Sequence, residues 1–140
     1  MTTPGQDAPR NRNQLLLWWA IWGSLLFGLV NIYVLLGRAP AKAPVAGENP
    51  LTGLIGLAPL FVSIIIRWLV LPRFSDLKGA FPMFIGGLAL AEMCGILGII
   101  LGGAYKDDLF LLGVLGVIQY VPLFARKLLE PKPQGFFPNN

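Results

Sequence analysis

Two charged side chains stand where the chain is otherwise apolar, and any chemistry it performs would run through them. Glu92 lies in the run Gly86-Gly87-Leu88-Ala89-Leu90-Ala91-Glu92-Met93-Cys94-Gly95, near the middle of a long hydrophobic segment. Arg67 lies in another such segment, about one helical turn ahead of Pro72. An ionised acid at the centre of a bilayer costs at least about 2.5–3.5 kcal/mol, so a group there is protonated, paired or turned away from lipid. Glu92 therefore has two readings. It carries a proton or a cation, or it is a neutral carboxyl that hydrogen-bonds a neighbouring helix and fixes the packing. Arg67 also has two: its long stem carries the charge out to the membrane surface, or it turns inward to Glu92. At 1.5 Å per residue, Arg67 is roughly 6 Å inside its helix end and Glu92 roughly 16 Å inside its own, so they meet only if both side chains extend toward each other. Glu92 and Arg67 are the candidate ion-binding residues.

The remaining inventory excludes much. The chain has no histidine and one cysteine, Cys94. Zinc sites built from His and Cys, Ser-His-Asp catalysis and Cys-His catalysis are all ruled out, as is an internal disulfide. Asp107 and Asp108 form an acidic pair that either holds a cation or ends a hairpin at the membrane surface. No phosphate-binding loop, metal-ligand spacing or carboxylate pair placed for acid–base work is present. No catalytic residue, metal or cofactor is expected, and the chain is expected not to be an enzyme.

The elements that must position these residues follow from solvation. Of 140 residues, 55% are hydrophobic and 13% charged, whereas soluble domains carry about 25% charged residues. A short chain has too much surface for its volume to hide that apolar excess from water. Hydrophobic runs at 15–36, 51–71, 81–102 and 107–125 are continuous and not alternating, which points to helices and argues against barrel strands. A bilayer core offers no water to backbone groups, so each run must be helical to cross it. The fold expected is all-α, a four-helix transmembrane bundle over 15–125, with polar tails at 1–14 and 126–140 lacking stable structure. The first run is too long for a signal-peptide core of about 7–15 residues and stays as an anchor. Pro59 is expected to kink the second helix.

Along the third run, Gly87, Ala91, Gly95, Gly98 and Gly102 recur at spacings that place them on one stripe. Small stripes let helices approach closely in lipid. Gly113 and Gly116 on the fourth run could face them across the hairpin. Ser24, Asn31, Ser63 and Gln119 are scattered polar positions whose hydrogen bonds each contribute about 0.6 kcal/mol.

Orientation rests on the basic residues. Arg10, Arg12, Arg67, Arg73, Lys78, Arg126, Lys127 and Lys132 fall on one side, against Arg38, Lys42 and Lys106 on the other. The excess places both tails in the cytoplasm. Trp18, Trp19, Trp22, Trp68 and Tyr120 are expected to mark that same interface. The basic residues form no cluster interleaved with aromatics, so nucleic acid is not a partner.

Gly87-Leu88-Ala89-Leu90-Ala91-Glu92, followed by Ile96, Gly98 and Ile99, resembles the proton-carrying helix of the rotor-ring c subunit of rotary ATP synthases. There, a glutamate in an Ala-Leu-Ala-Glu setting takes up and releases the translocated proton. That resemblance is local to the third run and implies a titrating role for Glu92. As a whole the chain resembles small four-helix bacterial integral membrane proteins of uncharacterised activity, which implies a multi-pass location in the bacterial inner membrane. The function expected is an accessory or assembly component. The alternative is a proton or cation pathway through Glu92. The partners expected are the lipid bilayer and either further copies of the chain or a larger membrane complex. A cysteine placed at Thr3 or at Asn140 should react with a membrane-impermeant maleimide only after cells are permeabilised, and labelling of intact cells would reverse the orientation.

Overall fold

The structure, a computed structural model, describes residues 7–38, 50–101 and 103–125. These residues form four helices, with no strand among them. Helix α1 covers 7–37, as Asp7–Ile32 followed by a widened final turn at Tyr33–Gly37. Helix α2 covers 50–73, α3 is Leu77–Leu101 and α4 is Lys106–Ile118. Four helical stretches of 25, 20, 25 and 23 residues are long and apolar enough to cross a membrane; about 20 residues suffice at a rise of 1.5 Å each. Their outward faces are apolar too, with Phe27 72%, Leu35 78%, Phe61 63% and Trp68 63% exposed.

The helices alternate in direction. Trp18, early in α1, meets Phe124 beyond the end of α4, whereas Tyr33, late in α1, stacks on Phe110 at the start of α4. Gly98 and Leu109 are neighbours at one end of the α3–α4 pair, and Gly87 and Tyr120 at the other. The bundle thus has a tail end, holding Trp18, Leu71, Leu77 and Ala125, and a loop end, holding Gly37, Gly56 and Lys106.

Several boundaries differ from those expected. Residues 7–14, assigned above to a polar tail, continue α1 as helix, because adding a residue to an existing helix needs only one more hydrogen bond and no new nucleus. Residues 1–6, 39–49, Gly102 and the tail 126–140 lie outside the described residues. The fourth run was expected to be helical to 125, yet regular helix stops at Ile118. Pro122 has no N–H to offer the Ile118 carbonyl and drives Val121 out of helical geometry. Tight turns replace it, with Tyr120 N–H bonded to Val117 O at 3.1 Å and Val121 N–H to Ile118 O at 3.0 Å.

Proline shapes α2 in the same way. Pro59 falls in the first turn of Leu57–Ile65, just after the tighter helical stretch Pro50–Gly56. A first-turn proline is tolerated there because its N–H would have no helical partner in any case. Ahead of Pro72 the helix widens over Ile66–Val70, and Leu71 N–H bonds back to Ile66 O. That five-residue step is a π-type turn, a common accommodation of a disrupted hydrogen-bond ladder. The chain then leaves through extended Phe74.

Asp76 starts α3. Its Oδ2 accepts the Gly79 N–H at 2.8 Å and its carbonyl accepts the Ala80 N–H at 3.2 Å. This is a side-chain N-cap, satisfying a donor that a helix start leaves unpaired. Asp76→Ala should lower stability in mild detergent by about 1 kcal/mol, with Asp76→Asn close to wild type; thermal unfolding measures both, and an unchanged Asp76→Ala midpoint would discount the cap.

Candidate functional site

The α3–α4 contact fixes everything that faces inward. Gly87, Ala91, Gly95 and Gly98 are all buried. Their neighbours on α4 descend in antiparallel register. A Cβ added at Gly98 would come 2.5 Å from Leu109 Cβ, and one added at Gly113 would come 2.5 Å from Gly95 N. A Cβ at Gly116 would come 3.0 Å from Ala91 Cβ, and one at Gly87 would run into the Tyr120 ring. At these positions the backbones are close enough that even a methyl group has no space, which is how small residues bring helices together without a hydrophobic driving force. Gly95 also receives Leu29 of α1. Gly102, the fifth member of the stripe, is outside the described residues.

The space above Gly87 admits Tyr120, which is fully buried. Its hydroxyl donates to Ser63 O at 2.6 Å, and Ser63 Oγ donates to Gly87 O at 2.7 Å. Three helices are joined through these two hydroxyls. Tyr120 was expected at the membrane interface and is instead in the core. Trp18 makes the same move: it is 2% exposed and stacks on Phe84 with centroids 4.4 Å apart. Aromatic residues near a helix end carry an interfacial signal only when their side of the helix faces out, and these two face in.

Arg67 and Gln119 form a second cluster at the tail end. The break in α4 exposes carbonyls to donors from other helices, Gln119 O without a backbone bond among the described residues and Val117 O beside its turn bond to Tyr120 N–H. Arg67 Nε donates to Gln119 O at 2.7 Å, and Trp22 Nε1 donates to Val117 O at 2.9 Å. A cation at a helix C-terminus also meets the negative end of the helix dipole. The guanidinium lies over Phe124, 4.4 Å from the ring centroid, and 5.2 Å from that of Trp68. Trp68 Nε1 donates to Gln119 Oε1 at 3.2 Å, while the buried Gln119 Nε2 has no hydrogen-bond partner among the described residues.

Glu92 is elsewhere. It is half-buried at the seam of α1 and α3, with Ala89 and Met93 exposed beside it on its own helix. The facing residue on α1 is Gly28, where an added Cβ would lie 3.8 Å from Glu92 Oε1. Its carboxyl makes no hydrogen bond or ion pair among the described residues. The structure therefore does not bring Arg67 and Glu92 together: Arg67 turns to α4 and Glu92 to α1.

At the loop end, Asp107 accepts the Tyr33 hydroxyl at 2.9 Å and lies 4.0 Å from Lys106 Nζ, which also donates to Gly37 O. Asp107 alone of the acidic pair makes these contacts, Asp108 being exposed, and no cluster of metal-ligating side chains occurs among the described residues. Asn31 bonds its own helix, donating to Phe27 O at 2.7 Å.

Sequence reasoning missed the Tyr120–Ser63 pair, the Gln119 acceptor and Gly28 opposite Glu92. Pro122, three residues past Gln119, was the available sign that α4 would present a free carbonyl. Among the described residues the fold and site define an all-helical bundle with an apolar exterior, a glycine-lined core contact and an acid at mid-helix that no described residue meets. Comparison with family models, curated proteins and solved structures finds no match.

The glycine contact has a matched control. Gly87→Ala should cost about 1–3 kcal/mol through overpacking against Tyr120, whereas Gly86→Ala, where an added Cβ meets nothing within 4 Å, should leave the unfolding midpoint in detergent unchanged or raised. Equal effects of the two substitutions would refute the close approach at Gly87.

Proposed function

We propose that this chain is a multi-pass integral membrane protein of the bacterial inner membrane, with both tails cytoplasmic, serving as a non-enzymatic accessory or assembly component of a larger membrane complex. One observation carries the proposal: Glu92, the acid at mid-helix in α3, is reachable from outside the bundle and has no partner among the described residues. In hydrocarbon an unmet carboxyl is costly. A neighbouring transmembrane helix bearing a basic or hydrogen-bond-donating side chain at the same depth would remove that cost. Small residues on the outer faces near Glu92 favour such an approach: Ser24 on α1, and Gly86 and Ala89 on α3, are all exposed. Small exposed residues in lipid permit close helix contact.

The non-enzymatic part of the reading is supported by where the polar groups are. Ser63, Tyr120, Arg67 and Gln119 are tied to one another or to backbone carbonyls of neighbouring helices. A groove of about 210 Å³ between α1 and α3 is lined by Gln14, Leu17, Trp18, Leu77, Lys78 and Phe81. It includes neither Glu92 nor Arg67, so this groove and the candidate ion-binding residues do not coincide.

A second reading, a proton or cation pathway through Glu92, is favoured by the same unpaired carboxyl. The two readings part on one substitution. Glu92→Gln keeps the side chain's volume and hydrogen-bonding capacity but cannot carry a proton. On the accessory reading, the tagged full-length protein purified in mild detergent brings a partner in stoichiometric amount. Glu92→Leu loses that partner, Glu92→Gln keeps at least part of it, and reconstituted vesicles show no proton or sodium flux. Flux in the wild type that disappears in Glu92→Gln would establish the pathway reading in its place.

A further inference from the structure

We propose that Arg67 is the centre of a binding site for the phosphate of an anionic phospholipid headgroup at the tail end of the bundle. Among the described residues only the Nε edge of its guanidinium is engaged, in the bond to Gln119 O. The two terminal nitrogens have no hydrogen-bond partner among the described residues, and no carboxylate among them pairs with Arg67. The side chain is nevertheless held in place. Its Nε is tethered at 2.7 Å, and its plane lies against Phe124 and Trp68 at 4.4 and 5.2 Å. An arginine fixed in this way has little rotamer freedom left to lose on binding, and its open fork matches two phosphate oxygens at once.

Depth and charge select the ligand. Arg67 lies roughly 9 Å along the axis from Arg73 at the end of α2. Tryptophan side chains settle at the border between headgroups and hydrocarbon, and Trp68, the residue next to Arg67, is exposed and bonded to Gln119. At that border a phosphodiester is the abundant anion. Arg73 and Lys78 are exposed at the same end of the bundle and would favour a headgroup with net negative charge over a zwitterionic one.

The site is tested on the full-length protein in a mild detergent by titration with phosphatidylglycerol, phosphatidylcholine or inorganic phosphate, with retained lipid counted by native mass spectrometry. Wild type should retain phosphatidylglycerol about tenfold more tightly than phosphatidylcholine, and inorganic phosphate at equal concentration should not displace it. Arg67→Gln should erase the preference. Because losing the Gln119 contact could unfold that variant, Arg67→Lys serves as a second arm: it keeps the charge but not the fork, and should weaken phosphatidylglycerol retention about fivefold. Arg73→Gln should reduce retention less than either. Undiminished preference in Arg67→Lys or in folded Arg67→Gln, equal retention of the two lipids by wild type, or displacement by inorganic phosphate would each overturn the proposal.

Discussion

Backbone groups that have no water must bond within their own helix, and helices without water between them hold together by contact at short range. In this bundle that contact is the approach of α3 to α4. Gly95 and Gly113 meet backbone to backbone, Ala91 opposes Gly116, and Gly98 accepts Leu109. Larger residues at these positions would separate the two helices and would remove the pocket over Gly87 that Tyr120 fills. The Tyr120–Ser63–Gly87 hydrogen bonds depend on that pocket, so the position of α2 depends on it as well.

Proline supplies the second constraint. Pro122 ends regular helix early in the fourth hydrophobic stretch, where the Gln119 carbonyl takes a donor from α2 and the Val117 carbonyl takes one from α1 beside its own turn bond. The donors come from two different helices, Trp22 on α1 and Arg67 on α2. A local defect in one helix is thereby converted into ties to two others. Pro72 has a related effect on α2, where the widened turn carries Arg67 and Trp68 together beside the end of α4. The arginine that looked like a partner for an intramembrane acid is engaged in closing a broken helix end.

Glu92 stands apart from both constraints. The α3 face that meets α4 is made of Gly87, Ala91, Gly95 and Gly98, and Glu92 is turned from it toward Gly28. Nothing in the packing of the described residues requires a carboxyl at this position, since neither the hydroxyl network nor the arginine cluster includes it. The carboxyl is thus the one inward-lying charge of α3 that the described packing leaves out of its hydrogen bonds.

The linear order of residues was enough to determine four apolar helices, alternating in direction, with a small-residue stripe on the third and a lone acid beside it. Each of these is a local property: run length, composition and spacing along a helix of known pitch. It was not enough to place the boundary of α4, the burial of Trp18 and Tyr120, or the partners of Arg67 and Glu92. Helices that are hydrophobic all round carry no polar face to say which side turns inward. The inward side of each was decided only when neighbours distant in the chain came into contact, as Gly87 did with Tyr120 and Arg67 with the freed carbonyl of Gln119.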